Sequence, residues 1–328
     1  MKRLLLTIAL VASLVMVSGC SQNRKETNSV TIAIAPFESV GLVYLAQDQN
    51  VFAKRGLQVK YRAYDTGAAA LDGVLAGEAD IAVGTTEYPL VKKAFQDMPV
   101  SAIACIDRPD FTYLVGRKDR GIEKPSDLAG KRIGTVAASI AQFYLGRFLE
   151  LNKIDADGIT FVDLKTPQEW RRAITVGDVD AVVLAQPEAN LVKDGLGDNA
   201  SFFSVQAGQP SYTLAISTNE WIAQHPASVR QFLSALGDAQ KSAEKDPAKL
   251  RGVIQERLKL DSDYMDFVET QNTFALSLDQ SLITAMEDEA RWMIRSQVTT
   301  KTETPDFSDN VYTDGLMQLK PEAVNIIR

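Results

Sequence analysis

Gly77–Glu87, GEADIAVGTTE, is nearly repeated one hundred residues later as Gly177–Glu188, GDVDAVVLAQPE. Asp80 and Asp180 keep the same offset from their glycines. Each glycine suits the left-handed position that ends a helix. Each aspartate sits in the turn entering a strand, where its carboxylate can bond nearby backbone N–H groups. Ile81-Ala82-Val83 and Ala181-Val182-Val183 read as buried strands. The lead-ins also match, VKYRAYDT ending at Thr66 and ITFVDLKT ending at Thr166. The chain therefore holds two similar βαβ units in two lobes. Ligands of open parallel sheets bind beyond the carboxyl ends of the strands. Two lobes with facing strand ends would enclose a cleft, with Thr85-Thr86-Glu87 and Gln186-Pro187-Glu188 looking across it.

Outward from the echo, strands and helices alternate. The first stretch predicts strands over 30–35, 57–64, 81–83 and 100–106, with helices over 41–55, 68–76 and 87–96 between them. The second predicts strands over 131–136, 159–164, 181–184, 202–205 and 212–217. Its helices run over 139–153, 167–176 and from Glu188. This order argues for α/β layers with largely parallel sheets. After Asn219 the pattern turns helical. Val229, Phe232, Leu233, Leu236 and Ala243 keep a 3.6-residue period, as do Ile283, Met286, Ala290, Met293 and Ile294.

The 328 residues carry a net charge of −7 and are 45% hydrophobic. That length holds two cores, and the chain lacks the basic cluster a nucleic-acid binder would show. Two cysteines make no disulfide framework. The single histidine, His225, leaves zinc chemistry and most histidine-based acid–base catalysis without their usual residues. No metal or cofactor is called for. Lys2 and Arg3 precede an apolar run, Leu4–Val17, of signal-peptide length. Val17-Ser18-Gly19-Cys20 resembles a bacterial lipobox, so Cys20 is expected to be lipidated and residues 1–19 removed. Residues 20–29 then form a polar tether, which holds the folded body close to a bacterial membrane on its periplasmic or cell-surface side.

Four stretches in order carry a family resemblance: GLVYLAQDQNVFAKRGLQVKYRAY, ALDGVLAGEADIAVG, GRKDRGIEKPSDLAGKRIGT and VGDVDAVVLAQPEANLV. Together they resemble the solute-binding proteins of ABC importers, in the nitrate/sulfonate/taurine and thiamine-pyrimidine (NMT1-like) branch. The C-terminal DFSDNVYTDGLMQLKPEAVNII resembles the same branch. The resemblance implies a type II periplasmic-binding fold: two α/β lobes joined by two crossing strands, with the ligand cleft between them. The crossings fall at 111–117 and 212–217. Lobe 1 comprises 30–112 and 214–328, and lobe 2 comprises 113–213. The implied partners are a small-molecule solute and an ABC permease with its ATPase. The protein is expected to be a monomer that touches the membrane through its lipid only.

The strand-end loops supply the candidate ligand-binding residues. These are Phe37, Glu38 and Ser39; Asp65, Thr66 and Gly67; and Thr85, Thr86, Glu87 and Tyr88. Arg108 follows, then Ala138, Ser139 and Gln142, and finally Gln186 and Glu188. Several open helices, whose free N–H groups can hold an anionic or carbonyl group. Ser39, Thr66 and Ser139 also read as plain N-caps, and the three glutamates as helix-dipole partners. Arg108 beside Asp107 reads as a local ion pair or an anion clamp. Phe37, Tyr64 and Tyr88 could stack on a flat ligand. Cys105 is expected to be a buried filler, and His225 to be exposed.

If the glutamates line the cleft, the favoured solute bears N–H donors or a positive nitrogen. The alternative function is a biosynthetic enzyme on the same fold, resembling a thiamine-pyrimidine synthase. The leading reading is a binding module without catalytic residues.

Overall fold

The computed structural model describes residues 28–137, 139–206 and 208–327. The leader at 1–19, Cys20 and Ala138 lie outside them. Among the described residues ten strands run in chain order: β1 (Asn28–Ile34), β2 (Leu57–Ala63), β3 (Ile81–Thr85), β4 (Val100–Asp107), β5 (Thr112–Arg117), β6 (Arg132–Thr135), β7 (Thr160–Asp163), β8 (Ala181–Ala185), β9 (Ala200–Ser204) and β10 (Thr213–Thr218). They form two five-stranded sheets, β2-β1-β3-β10-β4 and β7-β6-β8-β5-β9. Helices α1 (Gly41–Asp48) and α2 (Val51–Lys54) follow β1; α3 (Gly67–Leu75) and α4 (Glu87–Ala94) follow β2 and β3. In the second lobe α5 (Ile140–Leu151), α6 (Pro167–Val176) and α7 (Glu188–Leu196) follow β6, β7 and β8. After β10 come α8 (Asn219–Gln224), α9 (Pro226–Lys245), α10 (Pro247–Leu258), α11 (Ser262–Gln271), α12 (Gln280–Arg295) and α13 (Asp314–Leu319). No described helix is long and apolar enough to cross a membrane.

The repeated phrase folds alike in both lobes. Gly77 and Gly177 adopt φ of 73° and 81°, a conformation glycine enters without a steric penalty. The aspartates do more than close their own turns. Asp80 N–H donates to Thr31 O at 2.8 Å, and Thr31 N–H donates back to Asp80 Oδ2 at 2.7 Å. Asp180 and Arg132 exchange the same pair at 2.8 and 2.9 Å. Each carboxylate thus continues the ladder one step past the strand and fixes the register of β3 on β1, or of β8 on β6.

The sheets are mixed rather than largely parallel. β10 runs antiparallel to β3 and β4, and β5 antiparallel to β8 and β9. The physical reason lies in the connections. β5 and β10 each arrive directly from the other lobe, so they enter at the edge where their parallel neighbours leave. The chain crosses at 108–111 and again at 205–212, just ahead of those strands. β1 begins at Asn28, inside the stretch expected as tether, because Asn28 and Ser29 already pair with Leu57 and Gln58. The helix expected over 41–55 is two, broken where Asn50 takes φ of 53°, a region asparagine tolerates better than most residues.

Cys105 is buried, and burial pushes its thiol pKa up. His225 is exposed and stacks on Trp221 at 4.9 Å. The C-terminal helices wrap the first lobe, where Phe232, Leu236, Met286 and Met293 join its core. Trp292 of α12 also meets Phe143 of α5 edge-on at 5.7 Å. Gly146 allows this approach, since a Cβ there would lie 2.6 Å from the indole nitrogen.

Candidate binding site

The loops at the carboxyl ends of β3 and β8 meet the crossing segments. Gln206 stitches those segments together. Its Oε1 accepts from Phe111 and Thr112 N–H at 2.6 and 2.9 Å. Its Nε2 donates to Pro109 O at 3.1 Å and Gln209 O at 3.2 Å. The echoed loops dock on this hinge. Glu87 accepts from Tyr212 N–H at 2.9 Å and from Ser211 Oγ at 3.3 Å. Gln186 N–H donates to Phe111 O at 2.9 Å. Each loop therefore abuts a crossing segment as well as its own strand end.

On the first lobe three strand-end loops are packed into one floor. Thr85 Oγ1 donates to Gly67 O at 2.7 Å. A Cβ on Gly67 would lie 2.2 Å from Gly84 O. Gly84, at φ of 79°, brings the β3 end against Ala35. This contact gathers 35–39, 65–67 and 84–87. Glu38 and Ser39 are buried and Phe37 is half-buried, whereas Asp65 and Thr66 are exposed. Thr66 caps α3 by accepting from Ala69 N–H at 3.1 Å. Ser39 lies inside a short 3-10 turn and makes no such cap. Tyr64 turns away: it donates to Glu78 at 2.8 Å and covers Gly73.

On the second lobe Ser139 Oγ donates to Val136 O at 2.6 Å instead of capping α5. Gln142 lies half-buried on the first turn of that helix. Gln186 Oε1 accepts from Asn190 N–H at 3.1 Å, while its Nε2 is buried without a partner. Glu188 is held by Arg171 at 2.5 Å, so it does not join the other two glutamates. Tyr88 reaches across to the second lobe, its ring 6.5 Å from that of Phe143. Thr86 lies half-buried ahead of α4. Arg108 departs from the expected pairing with Asp107. It faces Asp279 at 3.7 Å, because the Asp107 side chain turns into the interior.

Four acidic residues are buried at or behind these strand ends: Glu38 (5% exposed), Glu87 (1%), Asp107 (0%) and Glu289 (1%). Glu38 Oε1 accepts from the Tyr264 hydroxyl at 2.9 Å, and its Oε2 has no partner. Neither oxygen of Asp107 makes a well-formed hydrogen bond, although the Arg108 and Thr273 N–H groups lie close enough to favour its charged form. Burial pushes both pKa values up, and for Asp107 the Glu38 charge adds to it. Glu87 is raised to about 7 by burial. Glu289 is raised further by burial and by Glu87 beside it. Both Glu289 oxygens lack a donor. One proton shared between the two carboxyls would meet that need, since like charges this close resist joint ionisation. Thr112 Oγ1, Thr135 Oγ1 and the Tyr88 hydroxyl are also buried without partners. Native interiors pair nearly all such groups, and these lie at the strand ends and the crossing.

Sequence reasoning placed Asp107 with Arg108 in a strand-end loop, and passed over Gln206, Tyr264 and Glu289. Glu289 carried a readable signal: it falls on the apolar face of α12, between Met286 and Met293. Gln206 and Tyr264 carried none, because their partners lie about a hundred residues or more away in sequence.

The family model described as NMT1/THI5 like matches residues 38–250. The taurine-binding periplasmic protein of Escherichia coli (strain K12) is 29% identical over 223 residues, covering 66% of this chain and 67% of that protein. A putative aliphatic sulfonates-binding protein of Bacillus subtilis (strain 168) is 24% identical over 323 residues, 93% of this chain and 94% of its own. A 4-amino-5-hydroxymethyl-2-methylpyrimidine phosphate synthase of Schizosaccharomyces pombe is 24% identical over 233 residues, 63% of this chain and 62% of its own. Among solved structures, the alkanesulfonate-binding protein of Xanthomonas axonopodis pv. citri bound to MOPS superposes with a TM-score of 0.74 at 18% identity. It covers 87% of this chain and 98% of its own. That likeness shows the fold: two α/β lobes of the periplasmic-binding kind.

Proposed function

We propose that this chain, which belongs to the NMT1/THI5-like family, is the extracytoplasmic solute-binding component of an ABC importer. It captures a small organic solute between its lobes, closes on it and presents it to a permease. The solute bears N–H donors or a positive nitrogen. The observation that carries this is Glu38 Oε2, a buried acceptor without a donor, close to the buried carboxyl of Asp107. A bare anion there would meet buried carboxyl groups whose ionisation it would oppose still further. The neighbouring guanidinium groups are committed to carboxylates, Arg108 to Asp279 and Arg171 to Glu188. An acidic group on the same solute fits the other side, where Thr135 and the start of α5 offer donors. A zwitterion such as taurine satisfies both sides, and so reconciles the acidic floor with the taurine- and sulfonate-binding relatives.

The proposed lobes are 30–112 with 214–328, and 113–213. The protein works as a monomer, tethered through lipid on Cys20. The synthase among the relatives favours a second reading, a biosynthetic enzyme. The sole histidine lies exposed on Trp221, outside the strand-end cleft.

Calorimetry tests the proposal with nitrate, ethanesulfonate, taurine and 4-amino-2-methylpyrimidine against wild type, Glu38→Gln, Glu87→Gln and Glu188→Gln. Taurine or the aminopyrimidine is expected to bind wild type and to weaken in Glu38→Gln. At 100 times its dissociation constant it adds about 2.7 kcal/mol to stability, and small-angle scattering records compaction. Micromolar binding of nitrate or ethanesulfonate, untouched by Glu38→Gln, refutes the ligand class.

A further inference from the structure

We infer that Tyr264 is a positioning residue that aims Glu38 at the solute, and that α11 carries this alignment from the second lobe. The inference rests on the reading that Glu38 receives a ligand N–H. Glu38 follows β1 on a short turn, and its own N–H and the Tyr264 hydroxyl are the groups that act on its carboxylate. The Tyr264 hydroxyl takes its Oε1 at 2.9 Å and leaves Oε2 without a partner. One oxygen is thereby fixed, and the other is available to a single incoming donor. A carboxylate held on one side by a phenol presents a directed acceptor instead of a mobile charge.

Tyr264 is itself fixed. Its N–H donates to Asp261 Oδ1 at 2.7 Å, the cap of α11. Arg251 ties the same helix through Asp266 at 2.7 Å and Glu269 at 3.2 Å. The helix then reaches the second sheet. Tyr264 packs on Phe267 with ring centres 6.0 Å apart, and Phe267 meets Tyr113 at 5.8 Å. Tyr113 stacks on Phe202 at 4.6 Å, and its hydroxyl donates to Gln271 Oε1 at 3.3 Å. Tyr113 and Phe202 belong to β5 and β9. An unbroken file of rings thus runs from the second sheet to a carboxylate on the floor of the first. Movement of β5 during closure would reach Glu38 through Tyr264.

Other charged and titratable groups also face Glu38. Asp107 lies at the end of β4, and Tyr44 on α1 senses the same charge. Arg257 of α10 lies over the Tyr44 ring at 5.6 Å. Burial raises the Glu38 pKa and the Tyr264 bond opposes that rise.

The test is a double-mutant cycle of Tyr264→Phe and Glu38→Gln, read by calorimetry with taurine and 4-amino-2-methylpyrimidine from pH 5 to 9. Tyr264→Phe keeps the ring, and near-ultraviolet circular dichroism checks the fold. The expected results are a roughly tenfold loss of affinity in Tyr264→Phe and no further loss when it is added to Glu38→Gln. The acid limb of the binding profile should also move upward by about one pH unit. A merely structural tyrosine would lower stability without moving that limb. If Glu38→Gln weakens binding while Tyr264→Phe changes neither affinity nor the acid limb, the positioning role is overturned and the ligand class stands. If wild type binds neither probe, or Glu38→Gln binds as wild type does, the ligand class falls and the positioning role falls with it.

Discussion

Replacing Glu289 by glutamine should flatten the dependence of stability on pH. In the unfolded chain a glutamate loses its proton near 4.5, whereas Glu87 in the fold keeps its proton to about 7. The folded state therefore binds more protons across that window. The resulting stabilisation is full below 4.5, is lost as pH rises to about 7, and then stays flat. For Glu87 the difference amounts to about 3 kcal/mol. Glu38 and Asp107 are raised by burial too and act in the same sense, so the informative quantity is the difference between wild type and variant. An amide at position 289 removes a carboxyl that burial and Glu87 raise well above its ordinary value, and it still supplies an N–H donor to Glu87. Glu87 keeps its own burial-raised titration, while the contribution of Glu289 is gone. The pH-linked loss should shrink by about 1.4 kcal/mol for each pH unit over which the folded Glu289 holds a proton that the unfolded chain has lost. Urea unfolding at pH 4.5, 5.5, 6.5 and 7.5 measures this directly. Glutamine at 289 should become progressively more stable than wild type as pH rises. A difference that stays constant from pH 4.5 to 7.5 would refute the shared-proton pair.

Two shorter predictions follow from the repeat and the leader. Alanine at Asp80 removes a half-buried charge-assisted bond and should cost about 2 kcal/mol; alanine at Asp180, whose bond is the more exposed, should cost about half that. Equal and negligible costs in urea unfolding would show that the carboxylates do not hold the register. Palmitate labelling of the expressed precursor should mark wild type and not Cys20→Ala, and equal label in both would exclude the lipid anchor.

The two-lobed α/β organisation was legible because it rests on local signals. Helix-ending glycines, turn aspartates and β-branched runs each act within a few residues, so Gly77, Gly177 and the strands after them could be read directly. Strand direction was less accessible. The reversal of β5 and β10 follows from where the chain re-enters each sheet, and no periodicity encodes that. Among the candidate site residues, the loops were found but not the orientations of their side chains. Glu188 met Arg171 and Tyr64 met Glu78, partners set by packing. The buried acids were half visible. Glu38, Glu87 and Asp107 stood at strand ends, although Asp107 was read as the partner of Arg108, and Glu289 was hidden in a helix judged only by its apolar stripe.

Gln206 fastens both crossing segments at one place, and that makes it a pivot. A bend or twist confined to 108–111 and 205–212 changes few torsion angles near the pivot. The same rotation sweeps the far rim of each lobe through an arc that grows with distance from Gln206. The parts of each lobe farthest from the crossings would travel farthest, while Glu87 and Gln186, anchored on the crossings, would scarcely move. The interior of the cleft is then its stationary part and the rim its moving part. A solute would be met first by a rigid bed and enclosed afterwards by a sliding margin.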